Sequence, residues 1–214
     1  MGVAGAGGSA PLRAVVSAVA GALFFGGPVA MVALAVSART AGYVDARDVV
    51  SARVRRFLVP AQEAANAEGV PVALVLAVAC VESAGRPNAR SPAGAVGLMQ
   101  LMPETAAELA ADGGEARPVL TDPATSLRLG ARYLRRQRDG FASHAARDEL
   151  ALCAYNAGPG AVARWLDADP PPEDGRVLGR WIPYAETRAF VRRVGEWEGY
   201  WRTAAATSPG REPR

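Results

Sequence analysis

Leu74-Val75-Leu76-Ala77-Val78-Ala79-Cys80-Val81-Glu82-Ser83 is the stretch on which the reading of this chain turns. An unbroken apolar run leads straight into a carboxylate. Pro71 suits the opening of a helix, where a missing N–H costs nothing. From Val72 the residues are apolar on every side, not along one stripe, which predicts the buried central helix of a small domain over 72–83. Gly85-Arg86-Pro87-Asn88 stops it. A glutamate at the end of such a helix is partly desolvated, which disfavours its charged form and raises its pKa from about 4.3. A carboxyl group that donates a proton to a glycosidic oxygen needs that setting. The plainer reading is a glutamate that reaches water at a helix end, as most charged side chains do.

Working outward, Pro60 suits a first helical turn, and 61–68 reads as a helix ended by Gly69. Downstream, Asp122-Pro123 opens another helix, with Asp122 as N-cap and Leu127, Leu129, Tyr133 and Leu134 on its apolar side. Further helices are expected over 149–156, 161–166 and 187–201, with a Pro-rich loop over 167–179. Alternating strand patterns are absent, so the domain over 58–202 is read as mostly α, followed by a flexible tail over 203–214. Ahead of it, 39–57 reads as a juxtamembrane linker or helix.

Residues 14–38 form a stretch of 25 without a charge, bounded by Arg13 and Arg39. A helix of that length can cross the roughly 30 Å hydrocarbon core of a bilayer. It exceeds the usual apolar region of a cleavable signal, so an uncleaved anchor is favoured over a signal segment for 1–38. Gly26-Gly27-Pro28 interrupts it, and small residues near Ala35 and Ala38 keep the processed form open. Arg39, Arg47, Arg53, Arg55 and Arg56 follow the segment. The positive-inside rule alone would put the large domain in the cytoplasm. Long domains translocate regardless of nearby charge, and the substrate argument below decides for the extracytoplasmic face of the cell envelope.

The formal charge of +3 is too weak, and too free of basic runs with interleaved aromatics, to argue for nucleic acid. A single histidine, His144, leaves no room for a His-based zinc site or a Ser-His-Asp triad. Cys80 and Cys153 lack metal-ligand spacing. No metal and no cofactor is expected.

Two further segments bear chemistry. Ser91-Pro92-Ala93-Gly94-Ala95-Val96-Gly97-Leu98-Met99-Gln100-Leu101-Met102-Pro103 is a glycine-bearing loop leading into a helix. Its small residues let backbone approach a ligand, and Gln100 offers a donor and an acceptor. Ala154-Tyr155-Asn156-Ala157-Gly158-Pro159-Gly160 puts a ring and an amide at a sharply broken helix end. Stacking rings beside amides suit a sugar. Equally, Tyr155 is read as core and Asn156 as a C-cap.

With Glu82-Ser83, Ser91, Gly97-Leu98-Met99-Gln100, Ala154-Tyr155-Asn156-Ala157-Gly158 and Ile182-Pro183-Tyr184-Ala185-Glu186-Thr187-Arg188 in this order and spacing, the chain resembles the soluble lytic transglycosylase (SLT) catalytic domain, in its goose-lysozyme-like branch. The resemblance covers about 55–200. It implies a mostly helical lysozyme-like fold with a glycan groove. It implies Glu82 as the sole catalytic acid and Ser91 as a serine bonded near that acid. Gln100 and Met102 would line the groove, Tyr155 and Asn156 would contact sugar, and Glu186 is the glutamate of the last motif. The chain departs from the family at Phe190, where a tyrosine is usual, and at Ser126, where an asparagine is common.

The reaction so implied cleaves the β-1,4 bond between N-acetylmuramic acid and N-acetylglucosamine in peptidoglycan. Glu82 would act first as acid and then as base, leaving a 1,6-anhydro sugar with no water consumed. Two alternatives stand beside it: a goose-type hydrolase of the same bond, and a non-catalytic glycan-binding scaffold of a cell-wall-spanning assembly. A hydrolase normally uses a second carboxylate; none sits in the Glu82 loop at an obvious distance, and Asp112 and Glu115 are the acids left open. Partners would be glycan strands, the membrane through the N-terminal segment, and a cell-wall-spanning complex. Cys80 and Cys153 each lie two residues before a groove residue, so both would point behind the groove. The resemblance sets their helices side by side, which leaves a disulfide between them open.

Overall fold

The structure is a computed structural model that describes residues 45–114, 118–169, 171 and 181–206. Among them the chain forms eight α-helices. They are α1 (Ala46–Arg55), α2 (Leu58–Glu68), α3 (Val72–Ser83), α4 (Pro103–Asp112), α5 (Pro123–Gly140), α6 (Arg147–Ala157), α7 (Pro159–Ala168) and α8 (Ala185–Ala206). The described residues hold no strand, only two isolated antiparallel bridges, Arg90 with Val96 and Val96 with Leu101.

Having no polar face, α3 must be covered all round. It packs most extensively on α8, then on α2, and it touches α5. Every residue from Ala73 to Cys80 is buried. Each Leu or Val withdrawn from water in this way contributes about 1.5–3 kcal/mol. The helix ends at Ser83, as expected, with Ala84 as its C-cap ahead of Gly85. Ala84 and Gly85 are both left-handed, at φ 51° and 71°. Their N–H groups donate to Cys80 O and Ala79 O, closing off the last turn. A Cβ on Gly85 would come within 2.9 Å of both Arg53 Cβ and Val54 Cγ2, so only glycine lets this turn lie against α1.

Several helices are longer than the sequence suggests. α2 starts at Leu58, which puts Pro60 at its third position. A proline is tolerated there because the first turn's N–H groups have no intrahelical partner. α6 and α7 extend by one to two residues at either end, and α8 reaches Ala206, past the expected boundary at 202. Asp122 caps α5 as expected, its Oδ2 accepting from Thr125 N at 2.8 Å. Val50, Ser51 and Val54 of α1 are buried, and the compact unit runs from Val50. The apolar 14–38 segment lies outside the described residues, as do 170 and 172–179 of the expected 167–179 loop, whose first two residues belong to α7. Among those described, no helix is long and apolar enough to cross a membrane.

A buried ion cluster ties α2 to α5. Glu68, 8% exposed at its side chain, accepts from Arg132 Nε at 2.8 Å and from Arg135 Nε at 2.9 Å. Burial pushes its carboxyl upward, but the two guanidiniums outweigh that and hold its pKa below the ordinary value.

The Cys80–Cys153 disulfide that the sequence leaves open is not present: both cysteines are buried free thiols. The reason is α8, which packs on both α3 and α6. Cys80 therefore meets Trp201 of α8, whose Nε1–H points at its sulfur from 3.4 Å.

Candidate active site

A cleft of about 430 Å³ opens at the C-terminal end of α3. Glu82, Ser91, Gln100, Met102, Tyr155, Asn156 and Glu186 all line it, so four separate stretches of sequence converge on one cavity.

The 89–101 loop forms one wall and is held by its own backbone. Ser91 N donates to Ala95 O, Gly97 N to Ala89 O, and Val96 and Leu101 exchange both hydrogen bonds. Ser91 Oγ accepts from Ala95 N at 3.0 Å, so this serine shapes the loop that faces the cleft. Gly97, at φ 87°, has no room for a side chain: a Cβ would sit 2.1 Å from Leu120 O and 2.7 Å from Ser126 Oγ. Gln100 itself is left-handed, at φ 47°. Its Nε2 donates to Gly97 O at 2.9 Å and to Ala89 O at 3.1 Å. The donor half of the amide is thus used inward, and the acceptor Oε1 is what Gln100 can offer a ligand. Met102, 39% exposed, stands at the rim.

Beneath the loop, the backbone of Met99 is gripped from two helices. Met99 N donates to Ser126 Oγ of α5 at 3.2 Å. Tyr155 OH of α6 donates to Met99 O at 2.8 Å. The Met99 side chain fills the notch at Gly130, where a Cβ would come within 2.5 Å of it. Tyr155 is 8% exposed, so it is both core and cleft wall. Its ring lies parallel to Phe190 at 6.3 Å and tilted against Tyr133 at 5.0 Å. Tyr133, which the periodicity assigned to the apolar side of its helix, also lines the cleft, as does Thr105. Hydrophobic spacing does not separate a core ring from one whose edge reaches a cavity. Asn156 is no C-cap here: that position is Gly158, and Asn156 Oδ1 accepts from Thr187 Oγ1 at 2.7 Å.

Glu82 stands half-buried where the apolar helix meets this cleft. Burial pushes its pKa up to about 8; Arg193 pulls it down, and the charge of Glu186 pushes it up. Such a group holds its proton at neutral pH yet can release it within the physiological range, as a general acid and base must. Asp112 lies on a different surface, with Glu68, Arg132 and Arg135, and Glu115 is outside the described residues. The second carboxylate of the cleft is Glu186.

The family model described as the transglycosylase SLT domain matches residues 60–175, more than half of the chain. The soluble lytic murein transglycosylase of Escherichia coli (strain K12) is 34% identical over 144 residues, 65% of this chain and 22% of that protein. The membrane-bound lytic murein transglycosylase C of Actinobacillus pleuropneumoniae serotype 5b (strain L20) is 31% identical over 181 residues, 74% of this chain and 50% of that protein. The chain thus spans between about a fifth and a half of these relatives. Among solved structures, an inactive mutant of the lytic transglycosylase Slt from Pseudomonas aeruginosa superposes with a TM-score of 0.60 at 35% identity, over 72% of this chain and 25% of that one. The 70-kDa soluble lytic transglycosylase of Escherichia coli gives 0.58 at 30% identity, over 68% and 24%. The match across 60–175 and the superposition on solved members establish that the chain belongs to the transglycosylase SLT domain family, with its mostly helical, lysozyme-like fold.

Proposed function

We propose that the protein is a peptidoglycan lytic transglycosylase with Glu82 as its single acid and base. The observation that carries this reading is the carboxyl at the end of α3, with a pKa of about 8, opening into a cleft shared with Gln100, Tyr155 and Asn156. The names of its relatives, murein transglycosylases, supply the substrate class.

In the proposed reaction, protonated Glu82 gives its proton to the oxygen bridging N-acetylmuramic acid and N-acetylglucosamine. The bond to the muramoyl C1 breaks, and the acetamido oxygen of the same sugar supports the positive centre. Glu82, now ionised, takes the proton of the muramoyl 6-hydroxyl as that oxygen bonds to C1. Proton and electron pairs balance without water, and Glu82 ends protonated. The half-desolvated site favours this return to the neutral form. Asn156 NH₂ and Gln100 Oε1 would orient the sugar amides, and Ser91 would fix the loop facing the acid.

One observation favours a second reading. Glu186 brings another carboxylate to the cleft, which a hydrolase of the same bond would use to activate water. The mass of the released muropeptides separates the two. Transglycosylation gives products one water lighter than hydrolysis does.

The substrate places the active domain on the extracytoplasmic side of the envelope. The uncharged 14–38 segment would serve as its anchor or export signal.

A further inference from the structure

Beside the catalytic cleft lies a second groove, of about 630 Å³, whose charge is of one sign. Arg53 of α1 and Arg56 just beyond it line this groove with Arg86 and Arg90 from the loop that follows α3. The rest of the lining is Gly85, Pro87, Asn88 and Ala89. The turn at Ala84 and Gly85 builds it: Gly85 lies so close to Arg53 and Val54 that the loop is pressed onto α1. Arg86 is further fixed by its Nε–H, which donates to Ser83 O at 3.0 Å.

Several arginines elsewhere in the fold are paired with carboxylates. Arg132 and Arg135 spend their charge on Glu68, Arg138 on Asp148, Arg192 on Glu196 and Arg202 on Glu198. Among the described residues none of Arg53, Arg56, Arg86 and Arg90 meets a carboxylate, and their groove contains none. Four arginines line one groove that holds no carboxylate, so an anion entering it meets positive charge alone. Guanidinium forks match carboxylates in bidentate geometry.

We infer that this groove binds the acidic peptide stem of the glycan strand held in the catalytic cleft. The inference rests on the proposed function for its substrate and goes beyond it in assigning a separate site. The two sites share one loop. It leaves α3 just after Glu82, carries Arg86 and Arg90, and enters the cleft at Ser91. Arg90 and Ser91 are neighbours, about 3.8 Å apart at Cα. A stem of four residues extends about 13 Å from the muramoyl group, far enough to bring its carboxylates over this loop. The lining has no aromatic ring on which a base could stack, which disfavours a nucleic acid.

The test uses the full chain with two substrates: glycan strands bearing their stems, and the same strands stripped of stems by an amidase. The stem-bearing substrate should have the lower KM. Arg56→Gln/Arg90→Gln should raise that KM about three- to tenfold, the scale of two exposed charge pairs, and leave kcat and the stripped substrate unchanged. Arg53→Gln/Arg86→Gln is the second variant and should do the same. Equal effects on both substrates, or on neither, overturn the inference. Binding of a free stem tetrapeptide to the Glu82→Gln chain, followed by NMR at the arginine Nε–H groups, needs no turnover. Peptide binding without any glycan cleavage would sink the proposed activity alone. Cleavage with no peptide binding, or tighter binding of a phosphodiester polymer than of the peptide, would sink the stem site alone.

Discussion

The hydroxyl of Tyr155 donates to the carbonyl of Met99 across 2.8 Å, joining two motifs 56 residues apart in the chain. With Ser126 Oγ accepting from the N–H of the same residue, it fixes the floor under Gln100. Tyr155→Phe keeps the ring and deletes this bond. A buried carbonyl left without its donor costs about 1–3 kcal/mol. Urea unfolding should therefore show a lower midpoint, and glycan turnover should fall through a raised KM, with cleavage still detectable. An unchanged midpoint would mean that the floor stands without the bond.

Glu82 gives a prediction about pH with a definite sign. Its folded-state pKa, about 8, is above its ordinary 4.5, because burial disfavours the ionised form. Its contribution to stability is full below 4.5 and is lost as pH rises through about 8. Glu82→Gln cannot ionise. Its melting temperature relative to wild type should therefore climb between those two values and level off above them. Wild-type kcat/KM should fall above pH 8 as the acid loses its proton. A high-pH limb set by an ordinary carboxylate pKa, far below 8, would remove the desolvated acid from the account.

The Glu68 cluster is a matter of stability alone. Glu68→Ala leaves Arg132 and Arg135 facing each other across the α2–α5 contact. The loss should be about 2–4 kcal/mol, somewhat short of a fully buried pair because Arg135 is 47% exposed. The depressed pKa means that the cluster's contribution is present above the ordinary carboxylate range and is lost as acid protonates Glu68. Urea unfolding of wild type and variant at neutral and acid pH measures both, and a gap that widens on acidification would contradict the assignment.

Both thiols should be counted as free in denatured protein prepared without reductant. In the native state they should resist alkylation, since burial pushes each thiol up to about 12 and the reactive thiolate is scarce. A count of zero after denaturation would restore the disulfide.

Much of this was legible in the sequence because it rests on local rules. An all-round apolar run had to be a buried helix, and Asp122-Pro123 had to start one. The family motifs named seven residues that converge on one cleft. What was not legible depends on packing between distant segments. Tyr133 looks like any apolar-face ring until α5 is set beside Tyr155. Gln100 looks like a free amide until its loop folds back on Ala89 and Gly97. The side-by-side placement of the cysteine helices failed because α8 packs on both, a contact that no spacing rule in the chain records.

The central claim is that one carboxyl group performs both proton transfers on the glycan. Mass spectrometry of the muropeptides released from purified sacculi by wild type and by Glu82→Gln, both shown to be folded by circular dichroism, tests it directly. The account predicts 1,6-anhydro products from wild type and a loss of at least about 10²-fold in the variant, the scale of a positioned acid and base. A folded Glu82→Gln that keeps more than about a tenth of wild-type release would contradict it.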